Sequence, residues 1–196
     1  MAEVELPNPE ELEERRDKAF SRRVALVTAV YAVVLAIASL GGNNAMKEML
    51  IAQQEASNQW AYYQSKVIRE HLNRGNKVML ETQLADPSAL KGAEREKFEA
   101  LAKKFGDEEK RMVVDKKEIE PKARAFEAER DRNQTKDPYF DYAEVLLQIS
   151  IVCASVSILS TSRPMFWFSS ALALFGVLFT LNGFLLLFRI PFLHGH

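Results

Sequence analysis

Three stretches of the chain are apolar over almost their whole length and predict helices that span a membrane. They lie at 24–42, at 143–161 and at 166–188, and Glu144 at the edge of the second is the one charged residue among them. A spanning α-helix needs about 20 apolar residues at a rise of 1.5 Å each. Buried helices of soluble proteins seldom stay uncharged for so long. The pattern therefore predicts an all-α membrane protein with three transmembrane helices.

Turn and aromatic residues indicate how the second and third spans are joined. Ser162, Arg163 and Pro164 leave room for only a tight connection, so these two spans are expected to form an antiparallel hairpin. Asp137 followed by Pro138 is typical of a helix start, with an N-cap and a first-turn proline. Aromatic side chains are common at membrane–water interfaces. The candidates near the two ends of this hairpin are Tyr139, Phe140, Tyr142, Phe166, Trp167 and Phe168.

The distribution of basic residues predicts the orientation of the chain. Within the segment 1–23, residues 8–23 read as an amphipathic helix that leads into the first span, with Asn8 as N-cap and Pro9 in its first turn. Basic residues concentrate there, so the positive-inside rule places the N-terminus in the cytoplasm. The domain at 43–138 is then outside, as is the short C-terminal tail at 189–196. Basic residues just before the second span point the other way, but long loops obey the rule weakly.

The charged segment at 43–138 carries two apolar stripes at helical spacing. The first is expected to lie on one helix face. The second begins after Asp86 and Pro87, and the turn between the two stripes is expected at 73–76 or at Asp86. The sequence therefore predicts an extramembrane helical hairpin, or coiled-coil-like domain, between the first and second spans. The first stripe is Ala45, Met49, Ala52, Ala56, Trp60, Tyr63 and Val67. The second is Phe98, Leu101, Phe105, Met112, Ile119, Ala123 and Phe126.

Glycine and proline residues suggest places where these helices break or bend. Gly41 and Gly42 could break the helix at the end of the first span, but the periodicity on both sides favours one long helix or a kinked pair. Gly106 with Asp107 is a possible stop and restart, and Pro121 is expected to kink the helix or to begin a new one.

Both stripes are narrow, and a hairpin with so small a core favours oligomerisation. Small residues in the first span permit close helix approach in lipid, and Gln148 and Asn182 are expected to form hydrogen bonds between helices. The predicted oligomer interface is Ala25, Ala29, Ala32, Ala36, Met49, Ala52, Ala56, Trp60, Tyr63, Val67, Phe98, Leu101 and Phe105.

Candidate chemistry is sparse. The net charge of −1 gives no indication of nucleic-acid binding. The single cysteine, Cys153, is read as a packing residue, and His71 as a solvated side chain. His194 and His196 lack an evident third ligand, so no metal site and no cofactor are predicted. No catalytic motif occurs, and the chain is not expected to be an enzyme. No ionisable residue lies in the centre of a span, which disfavours a proton-coupled transporter.

A block after the first span resembles a known family. The stretch Asn43–Glu48 and the stretch Gln53–Lys66, with Trp-Ala-Tyr-Tyr-Gln at 60–64, are similar to a bacterial membrane family classified as domain of unknown function 4337. The preceding apolar segment and the paired C-terminal helices also resemble that family. The resemblance implies a multi-pass protein of the bacterial inner membrane, and it implies no catalytic residues.

The leading hypothesis is a homo-oligomeric structural or scaffold protein whose partners are the lipid bilayer and other copies of itself. One alternative is an ion or small-solute channel built from several subunits. Another is an accessory subunit that docks a different membrane protein through Trp60, Tyr62 and Tyr63.

Overall fold

The computed structural model describes residues 9–86 and 90–188, and every element in them is helical. Three helices follow one another: α1 at Pro9–Leu84, α2 at Ala93–Ser160 and α3 at Arg163–Leu185. All three are long and apolar enough to cross a membrane, which agrees with the three predicted spans. The predicted N-cap Asn8, the turn residue Pro87, and the tail with Arg189 and both C-terminal histidines lie outside the described residues.

The chain divides into two compact units. The span unit comprises Met1–Glu48 and Arg132–His196, and the polar unit comprises Met49–Asp131. The span unit therefore holds α3 and the apolar parts of α1 and α2. The polar unit holds the charged parts of α1 and α2.

The helices are longer than the sequence predicted. α1 continues through Gly41 and Gly42, and it continues through 73–76, so the turn falls at the second predicted place, beside Asp86. The glycine pair therefore does not interrupt the helix. The part of α1 before residue 24, predicted as an amphipathic helix that leads into the first span, is the beginning of the same helix.

α2 also passes through each of its predicted breaks. It continues through Gly106, Pro121 and the Asp137–Pro138 pair, so the predicted helix start at Asp137 and the restart at Gly106 are wrong. Glycine inside a helix costs only about 1 kcal/mol relative to alanine. Buried residues lie close to both prolines along the helix, Ile119 and Ala123 around Pro121, and Tyr139 and Phe140 after Pro138.

The connection between α2 and α3 is as tight as predicted. Thr161 adopts the left-handed conformation with φ 49°, and the Ser162 amide donates to the Ser157 carbonyl oxygen at 3.2 Å. This bond, spanning five residues, is the one that defines a Schellman motif. The Ser157 hydroxyl donates back to the Ser162 carbonyl oxygen at 3.0 Å. α3 begins at Arg163 and ends at Leu185, about one turn before the predicted end.

Small residues form the contact face of α3. The buried residues lie at alternating spacings of four and three, and they face α2. At Gly176 an added Cβ would lie 2.7 Å from Leu147 Cγ and 3.3 Å from the Ala143 carbonyl oxygen. The backbones approach closely because no larger side chain separates them. The α3 face is Ser169, Ala173, Gly176, Thr180 and Gly183.

The ring of Phe140 fills a slot made by glycines of two other helices. Phe140 is 1% exposed. An added Cβ would lie 2.5 Å from the ring at Gly41, 3.1 Å from Phe140 Cβ at Gly42 and 2.9 Å from the ring at Gly183. Phe184 closes the slot with an edge contact at 4.9 Å between ring centroids. The glycine pair in α1 therefore provides room for an aromatic ring and does not break the helix.

Gly41→Ala should destabilise the protein by about 1–3 kcal/mol, because the new methyl group overlaps the Phe140 and Phe184 rings. Gly106→Ala is the matched control. Its Cβ would meet only the Lys77 side chain at 3.5 Å, and the higher helix propensity of alanine should stabilise the protein by up to about 1 kcal/mol. Thermal unfolding of the full chain in mild detergent, followed by circular dichroism, measures both. Equal shifts in the two variants would contradict the slot.

Candidate interaction surfaces

In the polar unit, α1 and α2 run antiparallel and contact each other along their length. Each contact further along α1 involves a residue of α2 with a lower number. The polar parts of α1 and α2 therefore lie side by side within one chain, and the pairing of the two apolar stripes stays a prediction. The contacts, in order along α1, are Gln53–Arg130 at 3.0 Å, Trp60–Glu127 at 2.9 Å, Lys66–Asp115 at 2.6 Å and Arg74–Glu109 at 2.7 Å.

The apolar core between these two helices is thin. Most of its fully buried apolar residues are alanines, each of which removes little surface from water. The aromatic side chains of the second stripe, Phe98, Phe105 and Phe126, are only half-buried. The buried apolar residues of the polar unit are Ala52, Ala56, Leu80, Ala102, Met112, Ile119 and Ala123.

Ion pairs occupy the middle of this interface. The Glu70 side chain is 7% exposed, and it pairs with Lys116 across the interface and with Arg74 one turn along its own helix at 2.9 Å. Arg74 also pairs with Glu109 at 2.7 Å. Removing the partners of the buried Glu70 carboxylate is costly, because it leaves an uncompensated charge out of water. The network therefore favours one register of α1 against α2.

These pairings shift the pKa values of the groups involved. The hydrogen bond from Lys116 holds the pKa of Glu70 below its ordinary range, against the opposing effect of burial. The hydrogen bond from Lys66 likewise lowers the pKa of Asp115, and the Asp115 carboxylate raises the pKa of Lys66. Both acids are therefore charged at neutral pH.

Aromatic residues flank the network. Trp60 packs edge-on against Tyr63 at 5.5 Å between centroids, and its indole N–H donates to Glu127. The Lys66 ammonium lies 5.0 Å from the Tyr62 ring centroid. Trp60 and Tyr63 are half-buried in contacts of their own chain, whereas Tyr62 is 50% exposed. Of the three aromatics predicted to dock another protein, Tyr62 is therefore the most accessible.

One family model matches the chain. The model for the domain of unknown function (DUF4337) covers residues 20–186. The chain belongs to the DUF4337 family. The match extends from just before the first apolar stretch to the turn that follows α3, so it includes both units and confirms the resemblance read from the sequence. The chain has no significant match among curated proteins or among solved structures.

The predicted interface residues of this DUF4337 protein fall into two groups. Those in the polar unit lie mainly on the face between α1 and α2: Ala52 and Ala56 are buried there, and most of the others are half-buried. Leu101 is 41% exposed. The four alanines of the first span are instead all exposed in the chain. Contact with another copy through either group stays a prediction.

Within the described part of the chain, Gln148 and Asn182 do not make the hydrogen bonds between spans that were predicted for them. Gln148 is exposed on the surface of the span unit. The Asn182 amide donates to the Phe188 carbonyl oxygen at 2.8 Å and accepts from the Phe188 amide at 2.9 Å. It therefore caps the turn after its own helix, where Leu186 is left-handed, instead of bonding another helix.

Other residues, which sequence reasoning missed, make the hydrogen bonds between helices of the DUF4337 span unit. The Ser169 hydroxyl donates to the Ser150 carbonyl oxygen at 2.7 Å, and the Tyr31 hydroxyl donates to Ser170 Oγ at 2.9 Å. The available signal was that Ser169 lies on the same small-residue face as Gly176. Within the described residues no group of three or more potential metal ligands comes together.

Acid should weaken the polar unit through Glu70 and Asp115. A carboxyl group whose pKa is lowered by folding stabilises the folded state above its unfolded pKa, near 4, and this contribution is lost as the pH falls through the folded value. The unfolding midpoint of the wild type should therefore drop more steeply below about pH 4 than that of Glu70→Gln/Asp115→Asn. Glu118→Gln, an exposed control, should keep the wild-type slope. Equal slopes in the wild type and the double variant would assign the acid response to other groups.

Proposed function

We propose that this DUF4337 protein is a homo-oligomeric scaffold of the bacterial inner membrane, with its N-terminus in the cytoplasm and its polar unit in the periplasm. The observation that carries the proposal is a face of α1 that the chain's own helices leave uncovered. Small residues lie on this face, and the exposed side chains around them are large and apolar.

Within the span unit, α1 packs against α2 and α3 through one side only. Val24 and Ala38 are buried on that side, and Tyr31 makes its hydrogen bond to α3 there. The exposed alanines lie elsewhere on the helix at spacings of four, three and four, next to large exposed residues such as Val33 and Ile37. Shallow grooves of this kind admit a neighbouring helix in lipid, where backbone approach and dispersion drive association. The exposed alanines are Ala25, Ala29, Ala32 and Ala36.

The polar unit supports the same proposal. Its two helices share a core of alanines and a few larger residues, which supplies little hydrophobic stabilisation to a two-helix hairpin. Association between copies, as in a coiled coil, would bury further surface. The concentration of basic residues before the first span supports the proposed orientation.

A multi-subunit channel is the second candidate, favoured by polar side chains exposed in the α2 span. Gln148 and Ser155 are both exposed and lie seven residues apart, on one face of the helix. Several copies could turn that face toward a common pore. Flux of ions or small solutes through liposomes containing the purified protein, reduced in Gln148→Leu, would favour this candidate over a purely structural scaffold.

Ala32→Leu/Ala36→Leu should reduce the size of the assembly, because the larger side chains fill the groove. The wild-type particle in mild detergent is expected to have a protein mass that is a defined multiple of 22.3 kDa, measured by light scattering with the detergent subtracted. The double variant should give a smaller multiple. Val30→Leu, an exposed position on the same helix that faces away from the alanines, is the control and should leave the mass unchanged.

A monomeric wild type would exclude the scaffold. An assembly of unchanged mass in the double variant would exclude the alanine face as its interface.

A further inference from the structure

We propose that a second copy of this chain docks on the outer face of α1 in the polar unit. This inference rests on the proposed function and assigns a second interface to it. The outer face consists of Ala61, Ser65, Ile68, Leu72, Gly75 and Met79.

The outer face points away from α2. Its residues recur at spacings of four, three, four, three and four, so they form one stripe along the helix. The stripe lies roughly opposite Lys66 and Glu70, which face α2. Its large side chains are well exposed: Ile68 is 62%, Leu72 59% and Met79 60% accessible. An added Cβ at Gly75 would meet nothing within 4 Å.

The outer face carries no charge, although the polar unit is rich in charged residues. Among the exposed residues of 50–84, the charged ones are Arg69, Arg74 and Glu81. Arg69 borders the outer face, four residues after Ser65 and three before Leu72. Arg74 belongs to the network with α2, and Glu81 lies on the same side of the helix as Arg74. On α2, by contrast, charged residues occupy most of the exposed positions between 93 and 131. The charged pattern on α2 is typical of a solvated helix face, and the pattern on α1 is not.

The absence of charge indicates a second copy as the occupant. A two-fold interface places the same patch on both partners, so a charged residue near its axis would face its own like charge. A face without charge meets itself without that repulsion, and it offers nothing to attract a strongly charged partner of another kind. The spacing is that of a heptad seam, and Ala61, Ser65 and Gly75 permit close approach. A lipid surface fits less well, because membrane-surface helices carry several lysines and arginines beside their apolar face.

The first test introduces like charges at exposed positions. Ile68→Glu/Leu72→Glu places acidic residues across the proposed interface, and both positions are exposed, so the fold of the single chain should be unaffected. Sedimentation over a range of protein concentrations measures dissociation of the full-length protein in detergent. The double variant should dissociate at a concentration roughly tenfold higher than the wild type does. Val114→Glu is the matched control, since Val114 is 56% exposed on the charged face of α2. It should dissociate as the wild type does.

The second test is covalent trapping. The chain contains one cysteine, Cys153, which is buried, so Cys153→Ala provides the background. Single cysteines introduced as Ile68→Cys, Leu72→Cys and Gly75→Cys should yield disulfide-linked dimers of the full chain in native membranes treated with an oxidant. Val114→Cys should not.

The outcomes separate this interface from the scaffold itself. A wild-type assembly that persists in Ile68→Glu/Leu72→Glu, with no cross-link at 68, 72 or 75, overturns the outer face and leaves the scaffold standing. A monomeric wild type overturns both. Equal cross-linking at 114 would show random collision and also overturn the proposal. A different protein that copurifies with the wild type and is lost in the double variant, while the assembly keeps its size, would assign the face to that protein.

Discussion

Close contact between helices at small residues is the constraint on which the span unit depends. In lipid there is no hydrophobic force between apolar helices, so packing and hydrogen bonds must hold them together. Phe140 supplies one such contact, because its ring lies among glycines of α1 and α3. The hydrogen bond from Ser169 to the Ser150 carbonyl oxygen then forms between backbones that are already close. A larger residue at Gly41 or Gly183 would overlap the Phe140 ring.

The helices of the polar unit are held together by other interactions than those of the span unit. Its helices share few large apolar residues, and the buried charges of Glu70 and Lys116 lie between them. Ion pairs of this kind add little net stability compared with an apolar core, but they penalise any register in which a charge loses its partner. Alanines such as Ala56 allow the helices to approach, and the charges select the alignment. The face that remains uncharged, on the other side of α1, is therefore a distinct feature of the unit.

How far the sequence predicts this structure depends on how local each signal is. The apolar stretches and the tight Ser162 connection are local, and both were predicted. Local signals for a helix end occur at Gly41–Gly42 and at Asp137–Pro138. Both sites are helical nevertheless, because Phe140 and its neighbours make contacts there between residues about a hundred positions apart. The stripe around Ala52 and Trp60 identified a contact face, but periodicity cannot say whether its partner is α2 or another copy. Ser169 and Tyr31 were missed because their partners become neighbours only after folding.

The burial of Glu70 has a consequence for the response of the polar unit to ionic strength. Exposed pairs such as Arg124–Glu120 lie in high dielectric, where counter-ions screen them as salt is added. The Glu70 carboxylate is nearly inaccessible, so dissolved ions cannot come close to it, and its attraction to Lys116 changes little. The alignment of α1 with α2 should therefore persist at salt concentrations that weaken most of the unit's surface electrostatics.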